Sequence, residues 1–467
     1  MMSGCFDVKA PSWSWERRFP MSDDAFLEQA LTVAGRPYAT VLLSGGDLDC
    51  ARFSIAACDP FLVIESKGRD LKATYAGGTW TGRGDPLSFL DRALETTAPR
   101  DLPEIEPFSG GAVGYLAYEL KNSIERLPQT ARDDLELPDL FFAFPTKILV
   151  HDRREGLAHE IQLDPNGAPP IRAPAPEAQG QAPLASLRTG RLSSNFTREG
   201  YLEAVRRIRR YIRAGDVYQV NLSQRFSFPL EGPPIRLWKA LFEKNPAPFF
   251  AYVNAGDHQV LSTSMERFLF RRGSTIETRP IKGTRRRGST PEEDAALARE
   301  LAESEKDDAE LSMIVDLLRN DLGRVCKPRS IRVLQHKRIE RYQNVFHLVS
   351  IVTGTLIPGT TAGDLLRATF PGGSITGCPK IRAMEIIDEL EPTVRHVYTG
   401  SIGYVGWHDN LDLNVAIRTA VVTRGLGHVS VGGGVVYDSN EQDEYEETLH
   451  KGRTFFEVVR SLEGKQA

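Results

Sequence analysis

The chain has 467 residues, 41% hydrophobic and 26% charged, with a formal net charge of −4. That balance predicts a soluble globular protein with two domains or one large core, and it excludes a basic field for nucleic acid or an anionic membrane. Five dispersed cysteines (Cys5, Cys50, Cys58, Cys326, Cys378) form no CxxC pair or zinc spacing, and no segment reads as a signal core or a bilayer span, which predicts a cytoplasmic protein with reduced thiols.

In chain order, residues 1–164 are rich in short strand-like runs: ATVLLS, FLVIES, KATYAG, FFAFPTKILVHD and HEIQLD. Residues 165–194 are dominated by Pro, Ala and Gly and read as an exposed linker, because such a composition buries too little surface to offset its ordering entropy. Residues 195–467 alternate amphipathic helices with strands such as FFAYVNA, HQVLSTS, YTGSIGYVGW, NLDLNVAIRTAVV and HVSVGGGVVY. The basic run RRIRRYIR (Arg206 to Arg213) lies on a solvated helix face, opposite an apolar face of Tyr201, Val205, Ile208 and Ile212. Antiparallel runs interleaved with helices, and no regular βαβ period, predict an α+β fold.

The chemistry concentrates in the third stretch. RPIKGTRRRG (Arg279 to Gly288) places Lys282 between a proline-fixed backbone and a glycine. A lysine becomes a nucleophile when desolvation or nearby cations hold it neutral, and Arg279 and Arg285 to Arg287 are the expected cations. On the C-terminal helix, Glu444, Glu447 and Lys451 share one face, a pattern that suits a hard-cation site. It equally suits a solvated face with a Glu447–Lys451 salt bridge. Glu310 opens the apolar stripe of a second acidic helix, where the helix dipole alone also favours it. PGGSITGCPK, with Ser374, and VGGGVV, with Gly432 to Gly434, allow a ligand close to the backbone or serve tight turns. Cys-Pro after Gly377 excludes a nucleotide phosphate loop. His347 sits in an apolar run, and Arg418 inside a strand-like run needs a partner such as a substrate carboxylate.

The segments GDVYQVNLSQRF, SMERFLF, RPIKGT, DDAELSMIVDLLRNDLGRV, FPGGSITGCPKIRAMEIIDELEP, GSIGYVG, IRTAV, GGGVVYDS and EYEETLHK stand in the order found in the chorismate-utilising enzymes, which the chain resembles throughout residues 195–467. PFSGGAVGYLAYE and ARFSIAACDP extend the resemblance more weakly into the first stretch. The resemblance implies antiparallel sheets packed as a sandwich core with helices outside. Within the family, Lys282 resembles the lysine-bearing aminodeoxychorismate synthases, where anthranilate synthases typically carry alanine. Gln219 stands where isochorismate and salicylate synthases carry a water-activating lysine.

The resemblance therefore implies an aminodeoxychorismate synthase component I, a transferase making 4-amino-4-deoxychorismate toward 4-aminobenzoate and folate through a covalent intermediate on Lys282. Glu266 would be the general acid, with Thr284, His347 and Lys451 close by. Mg²⁺ on Glu310, Glu447 and Glu444 would hold the ring carboxylate, while Tyr404, Arg418 and the amides of Gly432, Gly433 and Gly434 would hold the enolpyruvyl carboxylate. The motif departs from the family at Met265, usually proline, and at Cys378, usually alanine. A possible tryptophan pocket involves Ser44, Arg52, Pro246 and Phe249. No glutaminase signature is found, so a glutamine amidotransferase partner in a heterodimer is expected to supply ammonia. The alternatives are anthranilate synthase component I and an inactive chorismate- or tryptophan-binding regulatory protein.

Overall fold

The computed structural model describes residues 8–171 and 187–463. Strands Phe53–Lys67 and Leu140–Asp152 pair along most of their length and form the root of two antiparallel arms. One arm runs from Phe53–Lys67 through Thr40–Leu43, Phe249–Asn254, His258–Ser264, Thr419–Thr423 and Leu426–Val435 to Gln219–Glu231. The other runs from Leu140–Asp152 through Gly111–Leu116, Ser401–Gly406, Asn410–Asn414, Arg267–Arg272 and Thr275–Arg279 to Val345–Thr355. Val345–Thr355 also pairs with Ile281–Arg286 and Arg332–Arg341.

Ala251, Val253, Val260 and Val421 of the first arm share a buried cluster with Val113, Tyr115, Ile402 and Tyr404 of the second. The arms therefore face one another as a sandwich, and the α+β expectation holds. Helices cover the outside. Arg198–Ala214 buries Tyr201, Val205 and Ile208 in one cluster with Val220 and Leu222, which leaves its arginines to the solvated side. The C-terminal helix Glu441–Ser461 buries Phe455, Phe456 and Val459 with Trp238, Val429 and Val431.

Two local expectations change. Of the stretch 165–194, residues 172–186 lie outside the described residues, and its last residues are strapped down. Arg188–Thr189 and Ser193–Ser194 pair with Gln219–Glu231, and Thr189 Oγ1 donates to the Val459 carbonyl at 2.6 Å. NLDLNVAIRTAVV is two strands, Asn410–Asn414 and Thr419–Thr423. It breaks because Arg418 has φ +49°, which no strand accommodates. Among the described residues no helix is long and apolar enough to cross a membrane.

Candidate active site

Lys282 is the second residue of strand Ile281–Arg286, opposite Leu348. The register slips between Lys282 and Thr284, where Gly283 takes φ +71°. A Cβ at Gly283 would lie 2.9 Å from Leu301 Cδ1 and 3.0 Å from Asp307 Cγ, so both backbone angle and space demand glycine there. The Lys282 amine lies 2.8 Å from Glu310 Oε1. Gln219 Nε2, from the end of the other arm, donates to that same oxygen at 2.7 Å. Burial pushes the Glu310 carboxyl up, but the Lys282 ammonium and the Gln219 amide outweigh it and hold it below its usual range.

The arginines around Lys282 are not free to repel its proton. Arg279 pairs with Glu277 and Asp49, Arg285 with Glu300 and Asp307, Arg286 with Glu293, and Arg287 with Asp294. Helices Pro291–Glu303 and Glu305–Gly323 supply most of these carboxylates. The charge next to Lys282 is the Glu310 carboxylate, not the cationic field expected from the sequence.

Glu266 lies in the turn between strands His258–Ser264 and Arg267–Arg272 and is 4% exposed. Burial pushes its carboxyl up to about 7, against hydrogen bonds from the Ser374 hydroxyl and the Ile281 amide and the charges of Lys282 and Lys451. A carboxyl balanced there holds a proton near neutral pH and can also release it. Ser374 is held in turn, because its carbonyl accepts from Asn221 Nδ2 at 2.7 Å. His347 is buried across the ladder from Thr284. Its Nδ1 lies 3.0 Å from Thr284 Oγ1, and its buried Nε2 has no partner. Burial, reinforced by Arg418, lowers it to about 3, so it stays uncharged.

The glycine triplet runs along the same floor. Gly432, Gly433 and Gly434 pair with Ser223, Leu222 and Asn221, while the neighbouring strand pairs only as far as Val429. A Cβ on Gly433 would approach Glu444 Oε2 at 3.1 Å and Glu447 Oε1 at 3.5 Å, and one on Gly434 would collide with the Gln219 amide. Glu444 is buried on the inner face of the C-terminal helix, and Ser439 Oγ donates to its Oε1 at 2.5 Å. Its Oε2 is buried without a partner. Burial, with the Glu447 charge added, pushes Glu444 up to about 7. Glu447 is half-exposed and pairs with Lys451 at 2.6 Å.

A buried acid poised to give a proton, a lysine among carboxylates and a glycine floor suit a reaction on a compact anion. Residues 50–457 match the family described as chorismate binding enzyme. The chain belongs to the chorismate-binding enzyme family. It is 40% identical to aminodeoxychorismate synthase component 1 of Bacillus subtilis, over 96% of each chain. It is 43% identical to anthranilate synthase component 1 of Thermus thermophilus, over 81% of this chain and 83% of that one. The crystal structure of anthranilate synthase component I from Streptococcus pneumoniae superposes with a TM-score of 0.75 at 33% identity, over 88% of this chain and 93% of that one. The menaquinone-specific isochorismate synthase of Escherichia coli shares the fold, with a TM-score of 0.70 at 16% identity, over 97% and 96%.

In this chorismate-binding enzyme the residues expected to hold Mg²⁺ fall into two groups. Glu444 and Glu447 converge beside Gly433, while Glu310 is taken up by Lys282 and Gln219. Among the described residues no group of three His, Cys, Asp or Glu closes into a metal cluster. The unpartnered Glu444 Oε2 and the like charge of Glu447 are nonetheless what a hard cation relieves, so this pair fits one.

Arg418 lines a cavity with Thr263, Lys451 and Gly452. Burial lowers it to about 10, and among the described residues no carboxylate pairs with it. Tyr404 is not brought to the site. Strand alternation turns it into the core between the arms, where its ring lies 4.9 Å from Phe108. At the expected tryptophan pocket, Ser44 Oγ donates to the Phe53 carbonyl at 2.6 Å and lies 3.1 Å from the Pro248 carbonyl. Arg52 makes a two-pronged bond to Asp152, and Phe249 lies beneath Arg267 at 5.1 Å. Gly45 backs onto Pro246 so closely that a Cβ would sit 2.6 Å from the proline's own. The site also uses Asn221 and Ser439, which the sequence reading passed over because each acts through one hydrogen bond to a better-marked neighbour.

Proposed function

We propose that this enzyme converts chorismate and ammonia into 4-amino-4-deoxychorismate, with Lys282 as the covalent nucleophile and a separate glutamine-hydrolysing partner as ammonia source. The observation that carries this reading is the shielded Lys282 amine, aimed by the Gly283 bulge into the group formed by Glu266, Glu310 and Gln219. The component 1 names of the relatives support a second component.

Lys282 first gives up its proton, and Glu310 is the acceptor within reach at 2.8 Å. The amine adds at ring carbon 2, the two ring double bonds shift, and the carbon 4–oxygen bond breaks. The hydroxyl leaves as water with the proton of Glu266, whose carboxyl is held near 7 by burial. Ammonia then adds at carbon 4, the double bonds shift back, and Lys282 is expelled as the amine and takes its proton back from Glu310. A proton from the incoming nitrogen returns to Glu266. Neutral His347, steadied by Thr284, presents Nε2 to the substrate without adding charge. Arg418, Lys451 and the open edge beyond Val429 are the groups that receive carboxylates. A divalent cation on Glu444 and Glu447 would supply positive charge for the ring carboxylate.

The 43% identity with an anthranilate synthase favours a second reading, in which ammonia enters at carbon 2 and pyruvate is lost in the same site. Product analysis separates the two. With chorismate, Mg²⁺ and ammonium, 4-aminobenzoate that appears only after an added aminodeoxychorismate lyase supports the first, and anthranilate without the lyase supports the second.

A further inference from the structure

Tyr342 follows strand Arg332–Arg341 and is 8% exposed. Its hydroxyl has two acceptors in reach, the Met265 carbonyl at 3.3 Å and Glu340 Oε2 at 3.2 Å. Its ring meets that of His347 edge to face, with centroids 5.0 Å apart and planes at 79°. The Met265 carbonyl and the Glu266 N–H belong to one peptide plane, and that N–H donates to Ser264 Oγ at 3.2 Å. Hydrogen bonds on both sides of this peptide fix the plane from which the Glu266 side chain departs. Met265 has no ring to restrict its own φ, so the tether from Tyr342 supplies rigidity that proline would supply.

We propose that Tyr342 is a positioning residue of the site: its hydroxyl holds the Met265–Glu266 peptide and its ring edge holds the His347 imidazole. The proposal rests on the reading of Glu266 as proton donor. The hydroxyl carries one proton, for which these two oxygens are alternative acceptors. Burial pushes the Glu340 carboxyl up, which disfavours its charged form and weakens it as a rival acceptor to the Met265 carbonyl. The other Glu340 oxygen makes no hydrogen bond and faces Arg338 Nε at 3.6 Å.

Two variants separate the two contacts. Tyr342→Phe keeps the ring and removes the hydroxyl, whereas Tyr342→Leu removes both. Chorismate consumption is followed across neutral pH at fixed free ammonia, and the product is identified in the same reactions. Glu266→Gln serves as the reference that assigns the high-pH fall in activity. The groups facing Glu266 are Ser374, the Ile281 amide, Lys282, Lys451 and Tyr342.

Tyr342→Phe is expected to lower kcat about 10-fold, to leave the KM for chorismate within about twofold, and to displace the high-pH fall that Glu266→Gln abolishes. Tyr342→Leu is expected to lose about a further 10-fold. A Tyr342→Phe enzyme with wild-type kcat and pH profile overturns the proposal. So does a loss of rate that tracks a lowered melting temperature while the pH profile stays in place. A product other than 4-amino-4-deoxychorismate, with the Tyr342 effects intact, overturns the reading of the reaction and leaves Tyr342 in its role.

Discussion

Glu266 and Glu444 are both pushed up to about 7, by different surroundings. Around Glu266 burial acts against two lysines and two hydrogen bonds; around Glu444 it acts against the Ser439 hydrogen bond and two lysines, with the like charge of Glu447 added to it. The first arrangement suits a proton donor and the second a cation seat. Glu266→Gln is expected to lower kcat about 10²- to 10⁴-fold and to remove the fall in activity as pH rises through about 7, read at fixed free ammonia. The stability sign follows from the same shift. Both folded-state values lie above the ordinary carboxyl value of about 4.3, so the contribution is complete below that pH and lost as pH rises through about 7. Metal-free protein should therefore melt at a lower temperature across that window, and Glu444→Gln should flatten the slope in a thermal scan. Lys282, Glu266 and Glu310 were legible because motif order marks them. Tyr342 was not, because it acts through a hydroxyl on a carbonyl 77 positions away. Tyr404, a site residue only through the resemblance, lies in the core between the arms.

At the scale of elements, one glycine bulge and one strand break set the site. Gly283→Ala forces a side chain into φ +71° and against Leu301 and Asp307. It is expected to cost about 1–3 kcal/mol in denaturant unfolding and to lower activity more than stability alone accounts for, since the bulge aims Lys282. Gly434→Ala should displace the Gln219 amide from Glu310 with little change in helix content by circular dichroism. Alternation revealed most strands, including Phe249–Asn254 and His258–Ser264. It could not reveal the break before Thr419, because the run stays strand-like on both sides of Arg418 and only the backbone angle shows the turn. The four arginines around Lys282 were legible as charges, but Arg285, Arg286 and Arg287 take their partners from helices whose docking leaves no local pattern.

At the scale of the molecule, the first third of the chain shares its sheets with the middle and last thirds. Leu43 pairs with Phe250, and Gly114 with Gly403. Such pairings span hundreds of residues and leave no periodic trace, so α+β was legible and the two-armed sandwich came only with the resemblance. Gln219 at the end of one arm and Lys282 beside the end of the other meet on Glu310, so a ligand there ties distant segments together. A cation seated on Glu444 and Glu447 should stabilise the fold by about 2.7 kcal/mol at 100 times its dissociation constant, so the melting temperature should rise with Mg²⁺ concentration. Glu444→Gln should abolish that shift in calorimetry, and an undiminished shift would place the cation elsewhere.

The most direct test of the central claim compares the wild-type chain with Lys282→Ala, given chorismate, Mg²⁺ and excess ammonium, with every aromatic and amino product identified. The account predicts 4-amino-4-deoxychorismate from the wild type and its loss or diversion in Lys282→Ala, with the fold intact by thermal melting. Equal formation of that product by both proteins would contradict it, because Lys282 would then be a neighbour of the chemistry and not its nucleophile.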